Sequence, residues 1–221
     1  FQQFADLGKI AAAGTTPNPD FVAMPFQDAI RAFKEKNVIT RRAFERLTGA
    51  AKRRAFTVAG LTRKAMLETA KSELHNAIAE GDTLATFSKR LAERFDSAGW
   101  TKLNSSHVEV VFRNGVMGAY SSGRDAQMMQ PHILEAYPFH QCTGVSDSRS
   151  RDAHKAAHGK VLSARDPFWR TAPLPWGHNC RCRKVARSAE YVQRLSLQVI
   201  PGSSLVGLPD EGWNASEGLF G

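Results

Sequence analysis

Cys180-Arg181-Cys182-Arg183-Lys184-Val185-Ala186 alternates small or apolar residues with basic ones. Successive side chains of a strand point to opposite faces, so this pattern predicts a strand with one wet face. Outward from it, Ala136 to Cys142 alternates weakly and carries aromatics, and Lys160-Val161-Leu162 follows Gly159. Both read as strands, with Leu195 to Ile200 a fourth. Upstream of Pro131 the spacing becomes helical. Pro25 opens a helix carrying Phe26, Ala29, Ile30 and Phe33. Thr40 caps a second, with Phe44, Leu47, Ala51, Ala55 and Val58 on one face and Gly60 as its break. Thr62 caps a third, with Met66, Ala70, Leu74 and Ala77, stopped by Gly81. Asp82-Thr83 caps a fourth, with Leu84, Phe87, Leu91 and Phe95, ended by Gly99. Ser106-His107-Val108-Glu109 reads as the capping box of a fifth, running to about Met129. Its Gly115, Gly118 and Gly123 allow a close helix crossing or a kink.

Helices first and strands later indicate an α+β protein. The expected division is an extended arm over 1–24, a helical domain over 25–130 and a small antiparallel α+β module over 131–221. The arm rests on Gly14-Thr15-Thr16-Pro17-Asn18-Pro19-Asp20, which is loop chemistry without periodicity. No repeat or low-complexity tract interrupts the chain.

The 221 residues are 42% hydrophobic and 23% charged, which excludes wholesale disorder. No apolar run approaches the roughly 18 residues of a membrane span. The net charge is +9, and it is unevenly placed. From Asp147 to Arg187 there are 10 Lys and Arg against 3 Asp. Such a segment suits a polyanion, an acidic protein surface or plain solvent. Three cysteines, Cys142, Cys180 and Cys182, make a poor disulfide framework and fit a reducing compartment. The start at Phe1 is expected of a processed product or a piece of a longer one.

His and Cys concentrate between Cys142 and Arg183. Three chemistries compete there. His154, His158, His178, Cys180 and Cys182 offer enough donors for a tetrahedral zinc. Asp147, Asp152, His154 and His158 offer acid–base groups or a hard-cation site, and Cys142 with a histidine offers a nucleophile. The favoured reading is structural. Asp147 pairs with Arg149 or Arg151, and Pro173, Pro175 and Gly177 fix a loop that packs Trp169 and Trp176. The arginine-rich strand then faces phosphate or acidic protein. No nucleophile elbow, phosphate loop or metalloprotease helix motif is present.

The run Asp147-x-Arg149-x-Arg151-x-x-His154, His158-Gly159-Lys160-Val161, Asp166-Pro167-Phe168-Trp169 and Pro175-x-Gly177-His178-Asn179-Cys180-Arg181-Cys182-Arg183 resembles the phage Mu F-like minor head protein family. The resemblance extends upstream through Phe56 to Gly60, Gly81-Asp82-Thr83, and Val111-Phe112-Arg113-Asn114 leading to Gly123-Arg124. Downstream it reaches Pro209-Asp210-x-Gly212-Trp213-Asn214. It implies a minor structural protein of a tailed-phage head, not an enzyme. Its implied partners are the portal protein, the major capsid protein and, non-specifically, phage DNA, with no membrane. Its implied place is the virion, assembled in the host bacterial cytoplasm. The alternative is a metal-dependent nuclease or toxin-like enzyme built on Asp147, His154 and Cys180.

In the wider superfamily some members carry Cys-x-x-Cys near the Asp-Arg segment and His-x-x-Cys before the Arg-Cys, which look like zinc sites. Here Arg151 and His154 stand in place of the two cysteines and Gly177 in place of the His; only Cys180 matches. The resemblance therefore implies no obligatory cofactor, and hydrogen bonds or an Asp147–Arg151 ion pair in place of metal. If zinc binds, the ligand set is His154, Cys180 and Cys182 with His178. Arg149, Arg151, Arg181, Arg183 and Lys184 are the candidate contacts to DNA or partner. Asp147, His154, Trp169, Gly177, Asn179 and Cys180 form the candidate structural motif.

Overall fold

The computed structural model describes residues 19–47, 49–52, 54–211 and 213. It is an α+β arrangement with helices leading and a three-stranded antiparallel sheet following. Helix α1 spans Pro19–Lys34, so Pro25 lies inside the helix and does not open it. Of the arm expected over 1–24, residues 19–24 are helical and residues 1–18 lie outside the described residues. The end of α1 is closed from elsewhere in the chain. Lys71 Nζ donates to the carbonyl oxygens of Lys34 at 2.8 Å and Lys36 at 2.5 Å. The Lys34 carbonyl, at the last residue of the helix, has no partner within it.

The single helix expected from Thr40 to Gly60 is broken up. Thr40 does cap, its Oγ1 accepting from Ala43 N at 3.4 Å, but α2 covers only Arg41–Glu45. A short α3 follows at Gly49–Lys52. Then Ala55–Phe56 (β2) pairs in parallel with Asn37–Val38 (β1). The pairing buries Phe56 completely and sets it edge-on to Phe33, ring centroids 5.9 Å apart. A long-range contact has overridden a local helical pattern.

Helix α4 (Lys64–Glu80) is preceded by Arg63 as its cap, not Thr62. It ends at Gly81 with φ 70° and ψ 34°, a conformation glycine takes without a Cβ penalty. In α5 (Leu84–Ser97) Thr83 Oγ1 caps Thr86 N at 3.2 Å, and Phe87, Leu91 and Phe95 are buried as their spacing predicts. Glu73, buried in α4, is held by Arg90 at 3.5 Å and Arg94 at 3.0 Å of α5. Arg90 also binds Glu80 and Asp82, so the hairpin is locked from its turn to the middle of α4.

The long helix α6 (Ser105–Met128) is capped by Asn104, whose side chain accepts from His107 N at 2.8 Å. The expected capping box does not form, because Asn104 caps the helix two positions before Ser106; Glu109 pairs with Arg113 at 2.6 Å instead. The close crossing expected of its glycines occurs at Gly123. A Cβ there would lie 2.5 Å from the backbone nitrogen of Ala29, so α1 and α6 touch backbone to backbone. Gly118 faces open space and serves no such contact.

After α7 (Pro131–Ala136) comes the sheet, in the order β4 (Val161–Ser163), β3 (Phe139–Thr143), β5 (Arg183–Arg187). Central β3 pairs antiparallel with both neighbours, aligning His140 with Leu162 on one side and Ala186 on the other. Strand β5 begins at Arg183, so Cys180 and Cys182 belong to the loop before it. Leu195 to Ile200 does not form the fourth strand. Ser196 turns through φ 49°, and only Val199 bridges to Val161. Helices α8 (Asp152–Ala157), α9 (Phe168–Thr171) and α10 (Ala189–Arg194) fill the connections. The buried apolar residues form two clusters. One joins α1, α4, α5 and α6; the other gathers Leu162, Trp169 and Trp176 with all three cysteines. Among the described residues no helix is long and apolar enough to cross a membrane.

Candidate functional site

Three segments distant in sequence converge on one buried point. Helix α8 supplies His154, the loop before β5 supplies Cys180 and Cys182, and the segment after α10 supplies Asp210. The loop turns at Asn179, whose φ of 53° is one that Asn tolerates better than most side chains. Cys180 N then donates to Gly177 O at 3.2 Å. The loop is also tied to the helical half. Buried Asn114 of α6 accepts from Asn179 N at 2.9 Å and meets His178 Nδ1 at 3.1 Å.

His154 lies at the centre of the convergence. Its Nδ1 is 3.6 Å from Cys180 Sγ and 3.4 Å from Cys182 Sγ. Its Nε2 donates to Asp210 Oδ1 at 2.9 Å. Trp176, fully buried, packs edge-on to the imidazole at 5.8 Å. His154, Cys180 and Cys182 are all buried, and their donor atoms lie within 4.8 Å of one another. Cys180 is the thiol that ionises first. The Cys182 thiol donates to it, against the opposing effect of burial, and His154 and the Cys182 N–H add to that. Cys182 is pushed the other way, because it keeps the proton it gives to Cys180 and is itself buried. Burial alone would depress the imidazole's proton affinity, but the bonds to Cys180 and Asp210 reverse it and the net direction is up.

Two ion pairs brace this cluster, and neither is Asp147–Arg151; the other expected partner, Arg149, does meet Asp147, at 3.7 Å. Asp147 meets Arg181 with both oxygens, Oδ2 to Nη1 at 2.7 Å and Oδ1 to Nη2 at 2.5 Å. Parallel two-point pairing is the strongest geometry a guanidinium has for a carboxylate. It holds the Asp147 carboxyl well below the usual range; burial opposes this, while Ser150 and the Arg149 N–H add to it. Arg151 reaches instead to Asp210, Nε to Oδ2 at 3.1 Å, and to His178 O at 3.0 Å. The local spacing of Asp147 and Arg151 suggested a turn pair, but a guanidinium from the cysteine loop already fills both carboxylate oxygens.

The remaining candidates separate. Lys184 is buried, with Nζ 2.8 Å from Asp125 and 4.9 Å from the Trp169 ring centroid, so it is not an outward contact. Arg183 turns to Thr143 Oγ1 at 3.2 Å. Arg149 alone of the five candidate contacts is mostly in solvent, its side chain 82% exposed. His178 does not join the sulfur cluster. Its ring stacks edge-on against Trp213 at 4.6 Å. His158 accepts from Gly144 N at 3.0 Å. Cys142 is buried and its thiol is pushed up to about 12 by that burial, so it is no nucleophile at neutral pH. Trp169 ties α9 to β4, donating to Ser163 O at 3.0 Å, and Trp176 donates to Ala172 O at 2.9 Å, just before the proline loop. Asp210 and Asn114 were not singled out from the sequence as site residues. Both sat in quoted motifs, yet no spacing rule links an Asp to a His 56 positions away.

The Phage Mu protein F like family matches residues 68–185, a span that includes the cysteines, His154 and Arg181. Putative capsid assembly protein F of Escherichia phage Mu is 35% identical over 200 residues, covering 83% of this chain and 45% of that protein. Mu-like prophage FluMu F protein of Haemophilus influenzae is 34% identical over 160 residues, covering 66% of this chain and 38% of that protein. The chain thus spans less than half the length of the curated relatives it matches. No solved structure matches.

Proposed function

The chain belongs to the Phage Mu protein F like family, and from that premise we propose that it is a minor structural protein of a tailed-phage head, acting in head morphogenesis. The observation that carries the reading is the similarity, over most of this chain, to a phage Mu protein whose name is capsid assembly protein F. The protein then resides in the virion after assembly in the host bacterial cytoplasm. Its neighbours are the portal protein and the major capsid protein, and Arg149 is its contact to packaged DNA or an acidic partner surface.

The site's geometry supports a structural over an enzymatic role. Asp147 is held by Arg181, while His154 and Cys180 are buried and point at each other. The three residues on which a nuclease would be built do not open onto a shared surface. Three residues of the basic segment are tied by ion pairs within the module: Arg151 to Asp210, Arg181 to Asp147, Lys184 to Asp125. Positive charge read from composition is here partly cement of the module and partly exposed, at Lys155, Lys160, Arg165 and Arg170 as well as Arg149.

Removal of the coding segment from the phage genome tests this. The expected result is loss of normal heads in electron micrographs of lysates, restored by the protein supplied in trans. Normal heads and normal infectivity without it would overturn the reading.

A further inference from the structure

We propose that His154, Cys180 and Cys182 hold one zinc-type metal ion, with Asp210 as the carboxylate that orients the histidine. The argument rests on the positions of the atoms. In a tetrahedral site with Zn–S of about 2.3 Å and Zn–N of about 2.0–2.1 Å, each N–S edge is about 3.5 Å. The two edges here are 3.6 and 3.4 Å. Nδ1 has a single lone pair and accepts from one thiol at a time. Both sulfurs lie within reach of that one lone pair, and a cation between them uses all three donors at once.

The surroundings fit the same ion. Metal-bound histidines almost always donate their second ring nitrogen to a carboxylate or carbonyl, which fixes the tautomer. Nε2 of His154 does so to Asp210 Oδ1 at 2.9 Å, leaving the Nδ1 lone pair toward the sulfurs. The charges balance. Two thiolates neutralise a divalent ion, and Arg151 at 3.1 Å neutralises Asp210, so no uncompensated charge is buried. The donor set, soft sulfur with imidazole, selects zinc over calcium or magnesium. The ion would pin α8 to the loop before β5, and through Asp210 it would pin the segment carrying Trp213, whose Nε1 donates to Pro175 O at 2.6 Å. This inference stands whether or not the head role is correct.

The test is metal content and cobalt spectroscopy on the purified, reduced protein. The expected result is one zinc per chain. Replacement by Co(II) should give a thiolate-to-cobalt band in the near ultraviolet and strong visible bands of tetrahedral cobalt. Cys180→Ser, Cys182→Ser and His154→Ala should each abolish tight binding, while Cys142→Ser and His178→Ala should leave it intact. Asp210→Asn should keep the cobalt spectrum but weaken zinc affinity about 10- to 100-fold. A reduced wild-type protein that takes up no zinc and shows no thiolate–cobalt band overturns the proposal, whatever the variants do. Equal loss of metal in Cys142→Ser or His178→Ala would overturn this ligand set.

Discussion

A methyl group on Gly177 would lie 1.8 Å from Asp210 Oδ2, so the glycine is what allows the carboxylate its place. That oxygen is not free to step aside. Arg151 binds it at 3.1 Å, and its twin accepts from His154 at 2.9 Å. Gly177→Ala should therefore destabilise the protein by about 1–3 kcal/mol, as over-packing of a fitted site does. Urea denaturation measures this. An unchanged midpoint would mean that Asp210 is not held as described.

Asp147 predicts behaviour in acid. Its carboxyl is held below the usual value, chiefly by Arg181. A depressed carboxylate contributes stability that is fully present above the unfolded value of about 3.9 and is lost as pH falls below it. Asp147→Asn should lower stability at neutral pH and flatten the steepest acid part of the curve, below pH 4. Parallel wild-type and variant curves down to pH 2 would contradict the pairing.

His140 predicts a different window. It is fully buried in central β3 with neither ring nitrogen bonded, and burial pushes it down to about 3, with Lys184 and Arg124 adding to the effect. The unfolded chain takes up its proton near 6.5, the native protein only near 3. Between these values the unfolded state binds more protons, so stability falls as pH drops from 6.5. His140→Leu removes two unsatisfied polar atoms and should raise stability, most at pH 4–5. Thermal melts at pH 4.5 and 7.5 check this. A larger gain at pH 7.5 would contradict it.

The sequence offers Lys184 and Arg149 alike as contacts to DNA or partner, and the structure divides them. Lys184→Ala strands Asp125 and should cost about 1–3 kcal/mol of stability. Arg149→Ala should change stability by no more than about 0.5 kcal/mol, being a solvated surface residue. Denaturation of both variants measures the difference; equal losses would contradict the division.

Where local rules govern, the sequence was legible. The stripe Phe87, Leu91, Phe95 and the Thr83 cap are as read, because helix period and capping act within a few residues. The helix from Thr40 failed because Phe56 is claimed by Phe33 and by strand pairing to residues 37–38, contacts no local window contains. The Ser106 box failed because Asn104 offers a competing cap two positions earlier. In the site, the alternation that predicted a strand through Cys180 and Cys182 rightly put both sulfurs on one side, though a loop achieves it. The partners Asp210 and Arg181 were beyond reach, since carboxylate and guanidinium choose each other in space.

The central claim is that this protein is a component of a phage head. Its most direct test is quantitative mass spectrometry of purified procapsids and DNA-filled particles. A small, reproducible copy number in both is the predicted result. Absence of the protein from both kinds of particle would contradict the account.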